Sequence, residues 1–211
     1  MKHLIIIGCG GFAREVYWHA QNSHGFQYEW DIKGFLAGDI KDKPSELAKL
    51  NKPIVGDINT YSVDKDDVFV CAIANAAARK RFTDTIREKG GCFINIIHNT
   101  ALIQGNVKMG EGNIICPFTF VNDHATIGNH VILNMGAGLG HDSCIGDFSS
   151  MMGGACLCGF AHAGRNTYFA TNAVALPSSK IDDDGYVGVG SVVFKHVHQG
   201  QKVFGNPALE I

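Results

Sequence analysis

Stepping in sixes from Ile103 meets Met109, Ile115, Val121, Ile127, Leu133, Leu139, Ile145, Met151, Leu157, Ala163, Phe169, Ala175, Ile181, Val187, Val193 and Gln199, of which only Gln199 is polar. Four residues beyond most of these steps the side chain is small: Thr119, Ala125, Ala137, Ser143, Ser149, Ala155, Ala161, Thr167, Ala173, Ser179, Gly185 and Ser191. A β-sandwich, whose strands alternate in twos with turns about every 8–12 residues, does not produce this double constraint. A large residue inside and a small one at the bend, every six residues, is the pattern of a parallel β-helix whose short strands turn corners around a triangular core. Three hexads close one coil, so residue i stacks on residue i+18 over the stretch Ile103–Gln199. No coil buries its aliphatic row alone, and stability therefore runs along the stack.

The 211 residues leave room for a second, smaller domain before the repeat. A net charge of −2, with no basic run, argues against a nucleic-acid surface. The opening Met1-Lys2-His3 and Leu4-Ile5-Ile6-Ile7-Gly8 is too short an apolar stretch for a signal peptide, and no span long enough to cross a membrane follows. A cytoplasmic protein is expected. The cysteines are odd in number (seven) and hold no Cys-x-x-Cys pair, which fits reduced, buried thiols better than a disulfide framework or a zinc site.

Leu4–Ile7 reads as a strand, Gly8-Cys9-Gly10-Gly11-Phe12-Ala13 as a glycine turn and Arg14–Gln21 as a helix. Such a turn lets backbone N–H groups and a helix N-terminus approach a phosphate, and Gly8-x-Gly10-x-x-Ala13 also fits a relaxed dinucleotide fingerprint. The same turn could merely pack helix on strand. Further strands are expected at Ile32–Leu36, Ile54–Asp57, Val68–Ile73 and Phe93–Ile97, with a short helix from Ser45 to Leu50 and an amphipathic one over Ala76–Lys89, starting after Asn75. Alternating strands and helices over residues 1–96 indicate a small α/β, Rossmann-like domain with a parallel sheet, too short for a complete two-half dinucleotide domain. Residues 97–211 form the β-helix, and Phe204-Gly205-Asn206-Pro207-Ala208 breaks the period and caps its end.

One outward segment, Gly140-His141-Asp142-Ser143-Cys144-Ile145-Gly146-Asp147, sets an imidazole beside a carboxylate. Stacking arithmetic adds Asp123 and His124 on one side and leaves only Gly159 on the other. A carboxylate that bonds an imidazole strengthens it as a proton acceptor near neutral pH. His196-x-His198 puts two imidazoles on one strand face, but two ligands without a third make a weak metal site, and no metal is expected.

The chain resembles the hexapeptide-repeat acyltransferases, and more narrowly the sugar acetyltransferases similar to the sialic acid O-acetyltransferase and the UDP-4-amino-sugar N-acetyltransferase of bacillosamine synthesis. The resemblance rests on Ile6-Ile7-Gly8-Cys9-Gly10-Gly11, Gly34-Phe35-Leu36, Ala72-Ile73-Ala74-Asn75 with Arg79, Ile97-His98-Asn99-Thr100-Ala101, Leu133-Asn134, the segment Gly140–Phe148, and Gly205-Asn206-Pro207-Ala208. It implies a left-handed β-helix, a homotrimer, acetyl-CoA as cosubstrate, and N-acetylation of a nucleotide-activated amino sugar. O-acetylation of a sugar or sialic acid is the alternative, and a non-catalytic assembly scaffold a more distant one. By resemblance His141 is the general base and Asp142 its partner; acetyl-CoA contacts fall to Ser150, Gly159, Thr171 and Val189, with the Gly159 N–H an oxyanion donor. The acceptor falls to Cys9, Gly10, Gly11, Asp39 and Asn134. The sequence departs from the family pattern at Phe12, where a His is usual, at Ala37-Gly38, where an acid pair contacts the nucleotide, at Ala74 for a glycine, and at Ser150 for a second His. None of these changes removes the base.

Overall fold

The computed structural model describes residues 1–38, 50 and 52–211. Asp39, expected at the acceptor, and the helix expected from Ser45, up to residue 49, lie outside the described residues. Two compact units divide the chain, Met1–Asn99 and Thr100–Ile211.

In the first unit β1 (Lys2–Ile7) leads through the glycine turn into α1 (Gly11–Gln21). It is followed by β2 (Trp30–Ala37), β3 (Ile54–Asp57), β4 (Asp67–Cys71), α2 (Ala76–Glu88) and β5 (Cys92–Phe93). All five strands are parallel, in the order β3-β2-β1-β4-β5. The apolar run Leu4–Ile7 is fully buried, as expected for a central parallel strand. Asn75 caps α2 by accepting from the Ala78 N–H at 2.9 Å. The single strand expected at Phe93–Ile97 is broken in the structure, with Cys92–Phe93 joining β4 and Ile96–Ile97 forming a separate two-residue strand.

The second unit is a parallel β-helix of two-residue strands on three faces, two of them six-stranded sheets. Its ladders follow the expected stacking: Leu139 pairs with Leu157, Ile145 with Ala163 and Met151 with Phe169. These side chains and the small corner residues, such as Ala125, Ala137, Ser143 and Ala155, are buried. Each corner needs one residue with positive φ, three after the inward residue; Asn106, His124, Asp142, Asn166, Asn172 and Asp184 take it, as do Gly112, Gly136 and Gly154. Asn and Asp tolerate this left-handed conformation better than bulkier residues. Corner side chains also tie coil to coil: Asp147 Oδ1 accepts from the Asn129 N–H at 2.6 Å, and Asp183 Oδ1 from the Arg165 N–H at 2.7 Å.

The period fails in the last coil. Only Phe194 and Lys195 separate the strands Val192–Val193 and His196–Val197, where earlier corners use four residues. The inward residue is therefore Val197, paired with Ile181, and the exposed Gln199 is not part of the interior row. The shortening explains why Gln199 was the one polar step. The chain then turns back, and Leu209–Glu210 pairs antiparallel with Lys202–Phe204 at the end of the stack.

Candidate active site

His141 and Asp142 occupy the corner between the strands Gly138–Leu139 and Cys144–Ile145. Asp142 holds the left-handed corner position, φ 57°, which directs its carboxylate back to its neighbour. Nδ1 of His141 lies 2.9 Å from Asp142 Oδ2. A carboxylate only accepts, so Nδ1 carries the hydrogen and Nε2 is left as the proton acceptor. The imidazole is more than half exposed and can reach a substrate.

One coil further on, Gly159 lies against the imidazole: a Cβ there would stand 2.7 Å from Nε2 and 2.8 Å from Cε1. The Phe160 ring meets the imidazole edge to face at 5.0 Å, and its N–H donates to the His141 carbonyl at 3.0 Å. Phe160 is exposed and has φ 57°, an unfavourable conformation for a bulky residue. Sequence reasoning missed it. The signal was present, since Phe160 stands 18 residues after Asp142, at the left-handed corner position, which Phe118 and Phe148 also occupy.

One coil back, the Asp142 N–H donates to the Asp123 carbonyl at 3.0 Å, and Asp123 and His124 form a pair of their own. Asp123 Oδ2 bonds His124 Nδ1 at 2.8 Å and its Oδ1 accepts from Asn106 Nδ2 at 3.1 Å. The bond from His124 holds the Asp123 carboxyl below the usual carboxylate range. Asp123 thus serves a second His–Asp pair, while Asp142 orients His141.

The residues expected at acetyl-CoA do not gather in one place on one chain. Gly159 shares the His141 corner, whereas Thr171 and Val189 lie on the corner that follows the strands Tyr168–Phe169 and Tyr186–Val187. They sit on successive coils, the Gly190 N–H donating to the Thr171 carbonyl at 2.9 Å. Ser150 is buried in a strand between Ile132 and Tyr168. Asn134 belongs to the Thr171 corner, where its Oδ1 accepts from the Met135 N–H at 2.6 Å.

In the first unit, strand order reverses at β1: the chain builds outward through β2 and β3 on one side, then crosses from β3 to β4 on the other. Parallel α/β sheets bind ligands at such a point, beyond the carboxyl ends of the strands. A cleft of ≈ 310 Å³ opens there, and Cys9, Gly10 and Gly11 line it with Phe12, Gly38 and Ala74. Gly8, φ 113°, is required because a Cβ would press on Ala72 O at 3.1 Å. Gly10 caps α1 with open space where a Cβ would go, and the first turn of α1 has no acidic residue, so its N–H groups favour an anion. The family's acid pair has no room at Gly38, where a Cβ would fall 2.8 Å from the Phe82 ring. A neighbouring hollow shares Gly38 and Phe82 and adds Asn59, Arg81 and Thr85, none of them singled out from sequence. Arg81 and Thr85 come from α2 and Asn59 from the turn after β3, a meeting that no local motif records.

Residues 3–86 match the PglD N-terminal domain family. Over 152 residues the chain is 32% identical to the GDP-perosamine N-acetyltransferase of Escherichia coli O157:H7, covering 68% of this chain and 67% of that protein. The chain belongs to the hexapeptide-repeat sugar acetyltransferases. As a member of this family it is an acyltransferase acting on a sugar. Its fold is also that of a histidine-to-asparagine variant of perosamine N-acetyltransferase from Caulobacter crescentus, in complex with CoA and GDP-perosamine. That likeness has a TM-score of 0.88 at 24% identity and covers 100% of this chain and 97% of that one. The acetyltransferase domain of PglB from Neisseria gonorrhoeae, in complex with acetyl coenzyme A, has a TM-score of 0.88 at 22% identity, covering 100% of this chain and 99% of that one. Among the described residues no helix is long and apolar enough to cross a membrane.

Proposed function

We propose that this chain is an acetyl-CoA-dependent N-acetyltransferase of a nucleotide-linked amino sugar, with His141 as general base and Asp142 as the group that orients it. The observation that carries this reading is the imidazole with Nδ1 on Asp142 and Nε2 over side-chain-free Gly159, open to solvent on a sugar-acetyltransferase β-helix. The sugar amine attacks the thioester carbonyl carbon and a C–N bond forms. Nε2 of His141 takes the proton lost from nitrogen. The C–S bond then breaks, and the imidazolium returns the proton to the leaving sulfur. The Gly159 N–H is the proposed donor to the oxyanion of the tetrahedral intermediate.

The nucleotide belongs to the cleft at Cys9, Gly10 and Gly11, where the N-terminus of α1 suits a diphosphate. A GDP-linked amino sugar is the first acceptor to test, since the E. coli relative is a GDP-perosamine N-acetyltransferase. The first unit is thus the nucleotide-sugar-binding domain and the β-helix the acyl-transfer domain.

A homotrimer accounts for two features at once. It lets the Thr171–Val189 corner of one copy meet the His141 corner of another, assembling acetyl-CoA contacts that one chain keeps apart. One β-helix face also presents an apolar outward row of Leu102, Phe120, Cys156, Val174 and Val192, the kind of surface a subunit interface covers. The proposed location is the cytoplasm, as the sequence leads one to expect.

The test is a panel of UDP-, dTDP- and GDP-linked 4-amino sugars plus free sialic acid, with acetyl-CoA and product analysis by mass and alkaline stability. An alkali-stable acetamide on a nucleotide amino sugar supports the proposal. An alkali-labile ester on sialic acid replaces it with O-acetylation, and a chain that neither binds nor consumes acetyl-CoA is a scaffold.

A further inference from the structure

The shortened last corner has a chemical result. With 18-residue stacking, His198 would lie opposite Lys180; the missing two residues put His196 there instead and bring His198 alongside Asp182. His196 Nε2 stands 2.9 Å from Asp182 Oδ2, and the His196 and His198 rings lie 4.1 Å apart between centroids. One donor atom from each of Asp182, His196 and His198 falls within 4.8 Å of the other two. Two imidazoles that lacked a third ligand in sequence thus acquire one from the preceding coil.

We propose that Asp182, His196 and His198 form a surface site for one divalent transition-metal ion of the zinc class. Two imidazole nitrogens and one carboxylate oxygen are a donor set that such borderline ions accept, with remaining positions open to water. Donors around a tetrahedral ion with bonds of about 2.0 Å stand about 3.3 Å apart. The His198 ring, exposed and packed on that of His196, therefore has to close in by rotation. Lys180 occupies the other carboxylate oxygen, Asp182 Oδ1, at 2.8 Å and leaves Oδ2 for the metal. Among the described residues His196–Val197 is the edge strand of its sheet, paired with Lys180–Ile181 alone. The ion would clip this edge strand to its one neighbour where the coil has lost two residues. The bonds across this seam include those from the Lys180 N–H to Lys195 O at 2.7 Å, the Asp182 N–H to Val197 O at 2.9 Å and the Gly200 N–H to Asp183 O at 3.0 Å.

The test uses the full chain stripped with a chelator, titrated with Zn²⁺ by calorimetry and with Co²⁺ by visible absorption. The His196→Ala/His198→Ala double variant runs beside it, and Asp182→Asn serves as a milder second variant. Wild type is expected to bind one more ion per chain than the double variant. Its added Co²⁺ spectrum should lack thiolate charge-transfer bands, which separates this site from binding at cysteines. Zn²⁺ should raise the wild-type Tm and leave the double variant's unchanged, while Asp182→Asn weakens binding by about tenfold. Equal stoichiometry in wild type and both variants, or only thiolate-type Co²⁺ spectra, would overturn the site.

Discussion

The Cα of Gly159 faces Nε2 of His141 so closely that a methyl group added there would stand 2.7 Å from that nitrogen. Glycine is the residue whose absence of side chain keeps the proposed base in place. Gly159→Ala is expected to push the exposed imidazole aside, lowering kcat by about 10²-fold, as a small displacement of a reacting group does. Because the ring can swing into solvent, stability should change by under about 1 kcal/mol. Steady-state kinetics and thermal unfolding of the same preparation check both halves.

Asp142→Asn keeps the side-chain size but allows the amide to donate to Nδ1, favouring the tautomer in which Nε2 carries the hydrogen. A kcat loss of about tenfold to a hundredfold is expected, smaller than in a buried triad because water can also serve Nδ1 at this exposed pair. A loss confined to KM would contradict the orienting role.

Phe160 sits in the left-handed region with its ring edge on His141. Replacing it with Asn, the residue that Asn106, Asn166 and Asn172 supply at equivalent corners, should stabilise the β-helix by about 1 kcal/mol. It should also lower kcat by freeing the imidazole. Greater stability with undiminished turnover would show that Phe160 does not position the base.

In the first unit Asp67 ties β4 to β2. It accepts from Lys33 Nζ at 2.8 Å, from Tyr61 OH at 2.7 Å and from the Asp64 N–H at 3.0 Å. Burial alone would push its carboxyl up, but the Lys33 ammonium and the other two donors outweigh this and hold it below the usual range. A depressed folded-state carboxyl stabilises above the unfolded value, near pH 4, and loses that contribution as pH falls through the folded value. Asp67→Asn should cost about 2 kcal/mol at neutral pH, between the surface and buried limits for ion pairs. It should also flatten the stability profile below about pH 4. Denaturant unfolding between acid and neutral pH measures both.

These residues also show what could be read without coordinates. The interior row from Ile103 to Val193 was legible because every coil repeats the same steric demand; His141 and Asp142 stood out as an adjacent pair in a family-like segment, and the stacking interval placed Gly159 beside them. Val197 was not, since a two-residue deletion is invisible to a fixed step. The approach of Asp182 to His196 depends on that same slip. Phe12, Gly38 and Ala74 were visible as departures from a family pattern, but that Phe82 fills the space of a side chain at Gly38 depends on how α2 packs, which periodicity does not encode.

The most direct measurement is CoA release from acetyl-CoA with a GDP-linked 4-amino sugar, comparing wild type with His141→Ala at matched folded fraction. The account predicts turnover by wild type and a fall of about 10²–10⁴-fold in the variant, the range for loss of a general base. Equal turnover by the two proteins would contradict His141 as the base.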